Sequence, residues 1–347
     1  MFKGIDLYSD TVTQPSVAMK EIMMQAEVGD EQIDGDPTTR KLEEMVAELL
    51  GQDTAMFFPS ATMANEVAIR LLCEPGDELI AAGNCHLFFA ETGGPAIHAN
   101  VLARPIYSSN GVFTGEELRQ HYFWPKGPHY PVSKLVSIEN TTNMGGGVAW
   151  TAQDLASVFA VTQELGLKTH LDGARLFNAV VRTGLSAQEI AKRFDAVTLC
   201  FSKGLGCGMG AILAFAQEHY GKVRRLKQLM GGALRQSGML AAACLYALQN
   251  NVARLQQDHD NAQFLAAQLS DNIPQIQVQY SALATNMVFF TWYSDQMTPD
   301  QFAENCLHKG LRFSRPGANR FRAVTHLGVT RDDMNKAVAI VREICSR

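Results

Sequence analysis

Residues 168–175 are Lys-Thr-His-Leu-Asp-Gly-Ala-Arg, and residues 196–206 are Ala-Val-Thr-Leu-Cys-Phe-Ser-Lys-Gly-Leu-Gly. Each stretch is a short run of apolar and β-branched residues, typical of a strand, that leads into a charged residue and a glycine. Asp172 ends the first strand, and Lys203 follows the second. The carboxyl ends of parallel strands form the edge of an open α/β sheet at which ligands bind. The two stretches therefore predict an α/β fold with a ligand site at that edge.

Strands and helices alternate on both sides of these stretches. Seven runs are predicted as strands: 54–58, 78–82, 97–103, 135–138, 168–172, 196–201 and 211–216. Apolar residues at helical spacing lie between several of them, as in 40–50, 153–165 and 187–194. This alternation is typical of βαβ units, so we expect one large, mainly parallel, seven-stranded sheet.

The pattern changes after residue 239. Helical spacing continues from 239 to 269, and short strand-like runs then alternate with two more helices. The predicted strands are 277–280, 287–292, 311–314 and 321–325, and the predicted helices are 298–309 and 331–345. We therefore expect residues 1–240 to form an N-terminal segment and a large domain, and residues 241–347 to form a connector helix and a small α+β domain.

The composition excludes several classes of protein. The chain has 347 residues, of which 46% are hydrophobic, and its net charge is −5 without a long basic run. We therefore expect neither nucleic acid nor an anionic membrane as a partner. The seven cysteines are scattered, and the start lacks the apolar core of a signal peptide, so a reducing, cytoplasmic location is expected. Most histidines lack partners at metal-ligand spacing, and we expect no metal.

Lys203 and Asp172 each allow two interpretations. A lysine at a strand end either extends to solvent or acts as an amine nucleophile, and an aspartate there can cap the next helix. Together, an imine-forming lysine and a carboxylate would hold a pyridine cofactor, with the carboxylate keeping the ring nitrogen protonated. The turn at 59–65 adds two hydroxyls at a predicted helix start, where either a simple N-cap or an anion site is expected.

Nine motifs occur in a single order along nearly the whole chain. They are Asp-Leu-Tyr-Ser-Asp-Thr-Val-Thr at 6–13, Gly-Asp at 29–30 with Asp-Pro-Thr at 36–38, Ser-Ala-Thr-Met-Ala-Asn at 60–65, His86 with Glu-Thr-Gly-Gly at 91–94, Glu-Asn-Thr-Thr-Asn at 139–143, Asp-Gly-Ala-Arg-Leu-Phe-Asn at 172–178, Ser-Lys-Gly-Leu-Gly at 202–206, Arg-Gln-Ser-Gly at 235–238 and Arg-Ala-Val-Thr-His at 322–326. The set resembles the threonine aldolases, pyridoxal-phosphate (PLP) enzymes of fold type I, the aspartate-aminotransferase-like fold. The resemblance implies cleavage of the Cα–Cβ bond of L-threonine-like or L-allo-threonine-like β-hydroxy-α-amino acids to glycine and an aldehyde.

The resemblance also implies a role for each matching residue. Lys203 would bind PLP covalently, Asp172 would pair with the pyridine nitrogen, and His86 would stack on the ring and is a candidate base. The other implied cofactor contacts are Ser60, Ala61, Thr62, Arg175, Ser202 and Arg235. The implied substrate contacts are Ser9, Arg175, Arg322 and Thr142, the arginines because a guanidinium matches a carboxylate with two hydrogen bonds. Arg235 would reach a neighbouring subunit's cofactor phosphate, so a homo-oligomer, either a dimer or a tetramer, is expected.

Three positions depart from the family pattern. Thr142 stands where many relatives have a histidine near the substrate hydroxyl, Ile33 where they commonly have a tyrosine, and Ala61 where glycine is usual. The first two changes leave other activities on the same scaffold open: a β-eliminating lyase, a racemase or a transaminase acting on a small amino acid. A non-catalytic PLP-binding protein is a further alternative.

Overall fold

The computed structural model describes residues 2–124 and 127–346. Its strands are β1 (Ile5–Leu7), β2 (Thr54–Phe58), β3 (Asp77–Ala82), β4 (Leu102–Ile106), β5 (Val132–Glu139), β6 (Lys168–Gly173), β7 (Ala196–Cys200), β8 (Ala211–Phe215), β9 (Ile276–Gln279), β10 (Met287–Trp292), β11 (Leu311–Phe313) and β12 (Arg320–Val324). Its helices are α1 (Val17–Met24), α2 (Pro37–Leu50), α3 (Ala61–Leu72), α4 (His86–Phe89), α5 (Gly94–His98), α6 (Gly115–His121), α7 (Ala152–Leu165), α8 (Leu176–Thr183), α9 (Ala187–Ala191), α10 (Tyr220–Leu229), α11 (Gly238–Asn250), α12 (Leu255–Asn272), α13 (Pro299–His308) and α14 (Arg331–Cys345). None of the helices formed by the described residues is long and apolar enough to cross a membrane.

The large sheet confirms the predicted α/β class. Its order is β2-β8-β7-β6-β5-β3-β4, with every pair from β7 to β4 parallel and β8 antiparallel to both of its neighbours. All five residues of β7 and of β8 are buried, because helices cover both faces and apolar strands suit such a sheet. In the register of β5 and β6, Glu139 lies beside Asp172, so two acids meet at the carboxyl edge.

A second, smaller sheet has the antiparallel order β12-β10-β9. Its core is aromatic: Phe290 stacks on Phe321 with ring centroids 5.3 Å apart, and Trp292 stacks on Phe302 at 4.0 Å. The N-terminal strand β1 pairs with β11, and Leu7 packs in this core.

The domain division at residue 240 stays a prediction. The core of the large sheet extends through α11 to Leu255, and Leu7 belongs to the other core, so packing crosses that boundary in both directions.

Two predicted elements are wrong in detail. The strand predicted at 97–103 is instead the end of α5 followed by β4, because Gly93, in the left-handed region at φ 74°, and Pro95 start a helix there. The single helix predicted from 239 to 269 is two helices that break after Asn250. At the break, Asn251 Nδ2 donates to the Leu205 carbonyl oxygen at 2.7 Å, which ties the break to the turn after Lys203.

Candidate active site

Lys203 lies in the tight turn that follows β7. The turn closes through the Gly206 N–H, which donates to the Lys203 carbonyl at 2.8 Å, and Gly206 adopts a φ of 82° that favours glycine. The lysine is half-buried, and the described residues place no hydrogen-bond or ion-pair partner on its Nζ. Its positive charge is near enough to lower the pKa values of Asp10 and His86, although other groups decide the net shift of His86. A half-buried amine without a partner is available for a covalent bond.

Asp172 is only 2% exposed at the end of β6. Its Oδ1 accepts from the Ala174 N–H at 3.1 Å, and its Oδ2 accepts from Asn65 Nδ2 at 3.1 Å. Both donors are neutral, and a buried carboxylate without a cationic partner is costly. A protonated ring nitrogen is the type of group that this carboxylate lacks, so the donor set fits a pyridine cofactor.

The start of α3 forms the second part of a cofactor cradle. Ser60 is its N-cap, with Oγ accepting from the Met63 N–H at 3.2 Å, and Thr62 is exposed in the first turn. Helix N-termini attract anions through free N–H groups and the helix dipole. One turn further along, Asn65 contacts Asp172, so the helix joins the anion-binding end to the buried acid. Helix α3 begins at Ala61, within the 59–65 stretch where the sequence predicts a helix start.

His86 begins α4 and is anchored twice. Its N–H donates to Glu139 Oε1 at 3.0 Å, and its Nδ1 lies 2.7 Å from Glu91 Oε1. Burial alone would lower the pKa of His86. The hydrogen bond to Glu91 and the negative charges of Asp172 and Glu91 outweigh burial, so the pKa is raised above its ordinary value of 6.5. With Nδ1 engaged, Nε2 is the nitrogen left to accept a proton.

Asn65 connects the acids around this histidine. Its Nδ2 donates to both Glu91 Oε1, at 2.8 Å, and Asp172 Oδ2, at 3.1 Å. The donor atoms of His86, Glu91 and Asp172 lie within 4.8 Å of one another, a spacing that a metal ion could bridge. Since an amide N–H group already lies between the two carboxylates, we assign these residues to hydrogen bonding.

Glu139 links the histidine to the other side of the site. Its Oε1 accepts from the His86 N–H, and its Oε2 accepts from the Asn143 N–H at 2.7 Å. Burial and the neighbouring Asp172 raise the pKa of Glu139 to about 7, although both N–H donors favour its anion. Asn143 Oδ1 in turn accepts from Arg322 Nη1 at 2.9 Å, so one carboxyl group connects His86 with Arg322.

The two predicted carboxylate-binding arginines are in different states. Arg175 is buried and makes a two-pronged ion pair with Asp10, with both N–O distances 2.7 Å. Burial would raise the pKa of Asp10, but Arg175, aided by Lys203, outweighs it and lowers this pKa to about 2. Ser9 lies next to this pair, with Oγ 3.4 Å from Asp10 Oδ1. The charge of Arg175 is thus matched within the protein.

Arg322 has only neutral partners among the described residues. Its guanidinium donates to Ser314 Oγ at 3.0 Å, to Asn143 Oδ1 at 2.9 Å and to the Tyr8 carbonyl at 3.4 Å. It is half-buried, and burial together with nearby Arg175 lowers its pKa to about 10. A desolvated cation without a carboxylate partner is a ready receptor for a substrate carboxylate.

The other predicted site residues make contacts within the protein. Thr142 is 1% exposed, its Oγ1 accepts from the Val148 N–H at 3.2 Å, and its side chain packs against Gly111. Arg235 is exposed and pairs with Asp30, 3.1 Å away. Ser202 Oγ lies 3.4 Å from Cys200 Sγ. Ile33 is 75% exposed and contributes to no described site contact.

Sequence reasoning missed two charged residues of this region. Asp10 lies inside a quoted motif, but its pairing with Arg175 joins residues far apart in the chain and has no local signal. Glu66 is a buried acid on α3, and its only signal is a charged residue in an otherwise apolar helix.

Comparisons with known proteins agree with this geometry. The family model described as "Beta-eliminating lyase" matches residues 6–292. The low specificity L-threonine aldolase of Escherichia coli K12 is 38% identical, covering 99% of this chain and 100% of that protein. Low-specificity L-threonine aldolase 1 of Arabidopsis thaliana is 34% identical, covering 99% and 97%.

Solved structures give the same fold. A threonine aldolase from Leishmania major superposes with a TM-score of 0.83 at 20% identity, covering 98% of this chain and 99% of that one. SPT with PLP superposes with a TM-score of 0.72 at 18% identity, covering 98% and 87%. Fold and site together define a PLP-dependent lyase of fold type I. The chain belongs to the β-eliminating lyase family, among the low-specificity L-threonine aldolases.

Proposed function

We propose that this protein cleaves the Cα–Cβ bond of L-threonine and related β-hydroxy-α-amino acids to glycine and an aldehyde, with PLP as its cofactor. One observation carries the proposal: Lys203, Asp172 and Arg322 gather around one sheet edge. Among the described residues, the amine of Lys203 and the guanidinium of Arg322 have no carboxylate partner, and Asp172 is a buried carboxylate. Lys203, Asp172 and Arg322 would match the carbonyl carbon of PLP, its ring nitrogen and the carboxylate of the amino acid, respectively. The relatives named L-threonine aldolase supply the substrate class.

The cofactor would be held at both of its ends. Asp172 would accept a hydrogen bond from the protonated ring nitrogen, Lys203 would carry the carbonyl carbon, and the Ser60–Thr62 turn would bind the phosphate. His86 would lie against the ring, while Arg175, Ser202 and Arg235 are the further cofactor contacts that we propose. When bound, PLP supplies an electron sink for the electron pair of the broken bond.

Arg322 would bind the substrate α-carboxylate, with Ser9 beside it. Asn143 and Ser314 fix the guanidinium through neutral acceptors, so its charge remains available to the substrate. We propose that Arg175, neutralised by Asp10, contributes mainly by holding the N-terminal segment that carries Ser9. Fixing the carboxylate sets the orientation of the Cα–Cβ bond, which decides which bond of Cα can break.

His86 would take the proton of the β-hydroxyl. Glu91 holds Nδ1, so Nε2 is the imidazole nitrogen left to take that proton. Histidine is the side chain most often used for general base catalysis near neutral pH, and His86 can act as a base when its imidazole is neutral. Thr142, whose hydroxyl already accepts from Val148, would act by shaping the loop that packs beside the substrate.

The decisive test is a panel of β-hydroxy-α-amino acids in both threo and erythro forms, assayed for aldehyde and glycine. Formation of both products from L-threonine or L-allo-threonine is expected. Formation of a keto acid with ammonia, of a D-amino acid, or of a transaminated product would instead identify an eliminating lyase, a racemase or a transaminase. Lys203→Ala is the matched control for background chemistry.

A homo-oligomer with shared sites is part of the proposal. The side chain of Arg235 is 68% exposed, and Ile33 and Phe89 are large exposed apolar residues. If Arg235 acts on the neighbouring subunit's phosphate, mixing Lys203→Ala with Arg235→Ala protein should restore activity in mixed oligomers. A mixture no more active than its components would contradict sharing. All seven cysteines are free thiols, which supports a reducing, cytoplasmic location.

A further inference from the structure

A buried pair of carboxyl groups lies behind His86. Glu66 on α3 is 2% exposed and Glu91 is 3% exposed. Glu91 Oε1 is occupied by His86 Nδ1 and Asn65 Nδ2. Glu91 Oε2 and both oxygens of Glu66 are buried without a hydrogen-bond donor among the described residues. Two carboxylates cannot satisfy each other, because each offers only acceptors.

Gly94 makes room for this pair. A Cβ atom at Gly94 would lie 2.1 Å from Glu66 Oε1 and 2.6 Å from its Cδ, so the carboxyl of Glu66 occupies the place that a side chain would take. Gly94 begins α5, and its N–H donates to the Glu91 carbonyl at 2.7 Å. Gly94 therefore binds the backbone of Glu91 and, because it has no side chain, leaves space for the carboxyl group of Glu66.

We propose that Glu66 is a positioning residue for His86, a neutral carboxylic acid that donates its proton to Glu91 Oε2. One shared proton supplies a donor to Glu91 Oε2 and uses one of the two unpartnered oxygens of Glu66. Glu91 then stays an anion held by three donors, namely His86, Asn65 and Glu66. As an anion it fixes the Nδ1–H tautomer of His86 and leaves Nε2 as the proton acceptor.

The surrounding charges agree with this assignment. Burial, the charge of Glu91 and the contact between the two carboxyl groups all raise the pKa of Glu66, to about 9. The titratable groups that face His86 are Glu91, Asp172 on β6, Glu139 on β5 and Lys203 after β7. Glu66 does not touch the ring itself and acts through Glu91.

Two substitutions separate a neutral donor from an anion. Glu66→Gln keeps a neutral donor of the same shape, and Glu66→Leu keeps most of the volume but removes the donor. The measurement is the titration and tautomer of His86 by NMR of ¹⁵N-histidine-labelled holoenzyme, with His86→Asn to assign the signal. Infrared spectra of the same proteins at neutral pH report the protonated carboxyl group directly. Glu48→Gln, at an exposed glutamate on α2, is the control.

We expect Glu66→Gln to move the His86 midpoint by less than about 0.3 pH units and to abolish one protonated-carboxyl band. Glu66→Leu should raise the midpoint by about one unit, because Glu91 loses a donor and holds the imidazolium more tightly. A drop of about one unit in Glu66→Gln would mean that a negative charge was removed, and would overturn the proposal. A Glu66→Leu protein with the wild-type midpoint and tautomer would also overturn it.

The inference rests on the base role proposed for His86. The infrared band and the histidine titration do not depend on turnover. A failed aldolase assay with these signals intact would therefore refute the function without refuting the carboxyl pair.

Discussion

The edge of the large sheet and the surface of the small sheet near it are charged in opposite senses. On the large-sheet side, Asp172 and Glu139 are buried, and their hydrogen-bond donors within residues 2–124 and 127–346 are all neutral. On the small-sheet side, Arg322 is half-buried, and the acceptors that the described part of the chain offers it are all neutral. Each side lacks a counter-charge that a cofactor-bound amino acid carries, a protonated ring nitrogen for the first and a carboxylate for the second. Arg175 differs from Arg322 in this respect, because it already has its counter-charge in Asp10.

The largest effect on activity should come from removing the amine of Lys203. Lys203→Ala is expected to abolish turnover and covalent attachment of PLP, because Lys203 supplies the half-buried amine just after the carboxyl end of β7. Borohydride reduction followed by peptide mass spectrometry checks this. Lys192→Ala, at an exposed lysine, should be labelled like wild type. A cofactor still fixed to Lys203→Ala protein would refute the assignment.

His86→Asn should lower kcat by about 10²–10⁴-fold, because it removes the base but keeps a polar side chain of similar size. Steady-state kinetics with L-threonine provide the measurement, and His308→Asn, at an exposed position on α13, is the control. A rate within about threefold of wild type, below roughly 1 kcal/mol in the barrier, rules out the base role.

Arg322→Ala should weaken substrate binding, whereas Arg175→Ala should lower the stability of the protein. The first removes the receptor for the substrate, so we expect about 2–5 kcal/mol weaker amino-acid binding with little change in Tm. The second leaves Asp10 buried without its partner, so we expect a loss of about 3–5 kcal/mol in unfolding free energy. Spectral titration with glycine and thermal unfolding measure the two effects. Arg315→Ala, at an exposed ion pair with Asp300, is the control. Equal losses of unfolding free energy in the two variants would contradict the different roles assigned to Arg322 and Arg175.

The acidic limb of kcat/KM should have its midpoint above pH 6.5, since the pKa of His86 is raised above that value. Activity falls as pH falls through this midpoint, because protonation occupies Nε2. The limb should vanish in His86→Asn. Glu139, whose pKa is about 7, titrates in the same range, and Glu139→Gln tests whether it contributes. A limb that persists in His86→Asn but not in Glu139→Gln would assign it to the glutamate.

The smallest effect is expected at position 142. Thr142→Val keeps the shape but leaves the Val148 N–H without its acceptor, at a cost of about 1–3 kcal/mol in stability. Because the hydroxyl is already used by the protein, the ratio of threo to erythro cleavage should stay near that of wild type. A large change in this ratio would show that Thr142 reads the substrate hydroxyl. Thr142→Ser, which keeps the hydroxyl, is the control.

Features set by residues close together in the sequence were predictable, whereas features set by contacts between distant residues were not. The strands before Asp172 and Lys203 were predictable because apolar runs ending in charged residues and glycine are local signals. The helix at 94–98 was missed because apolar residues alone do not distinguish a helix from a strand. Gly93 and Pro95, which start the helix, are the residues that distinguish the two. The Asp10–Arg175 pair and the Glu66–Glu91 contact were beyond reach, because each depends on how separate elements pack.

The pairing of β1 with β11 has a consequence for biosynthesis. Residues 5–7 are synthesised well before their partners at 311–313, and Arg322 comes later still. Contacts of such long sequence separation form late, since much of the chain must be ordered before they can close. Ser9 and Asp10, which follow β1 directly, are brought to the sheet edge by that closure and by Arg175. A ribosome-bound chain therefore carries the cofactor-binding half of the site before it can carry the half that recognises the amino acid.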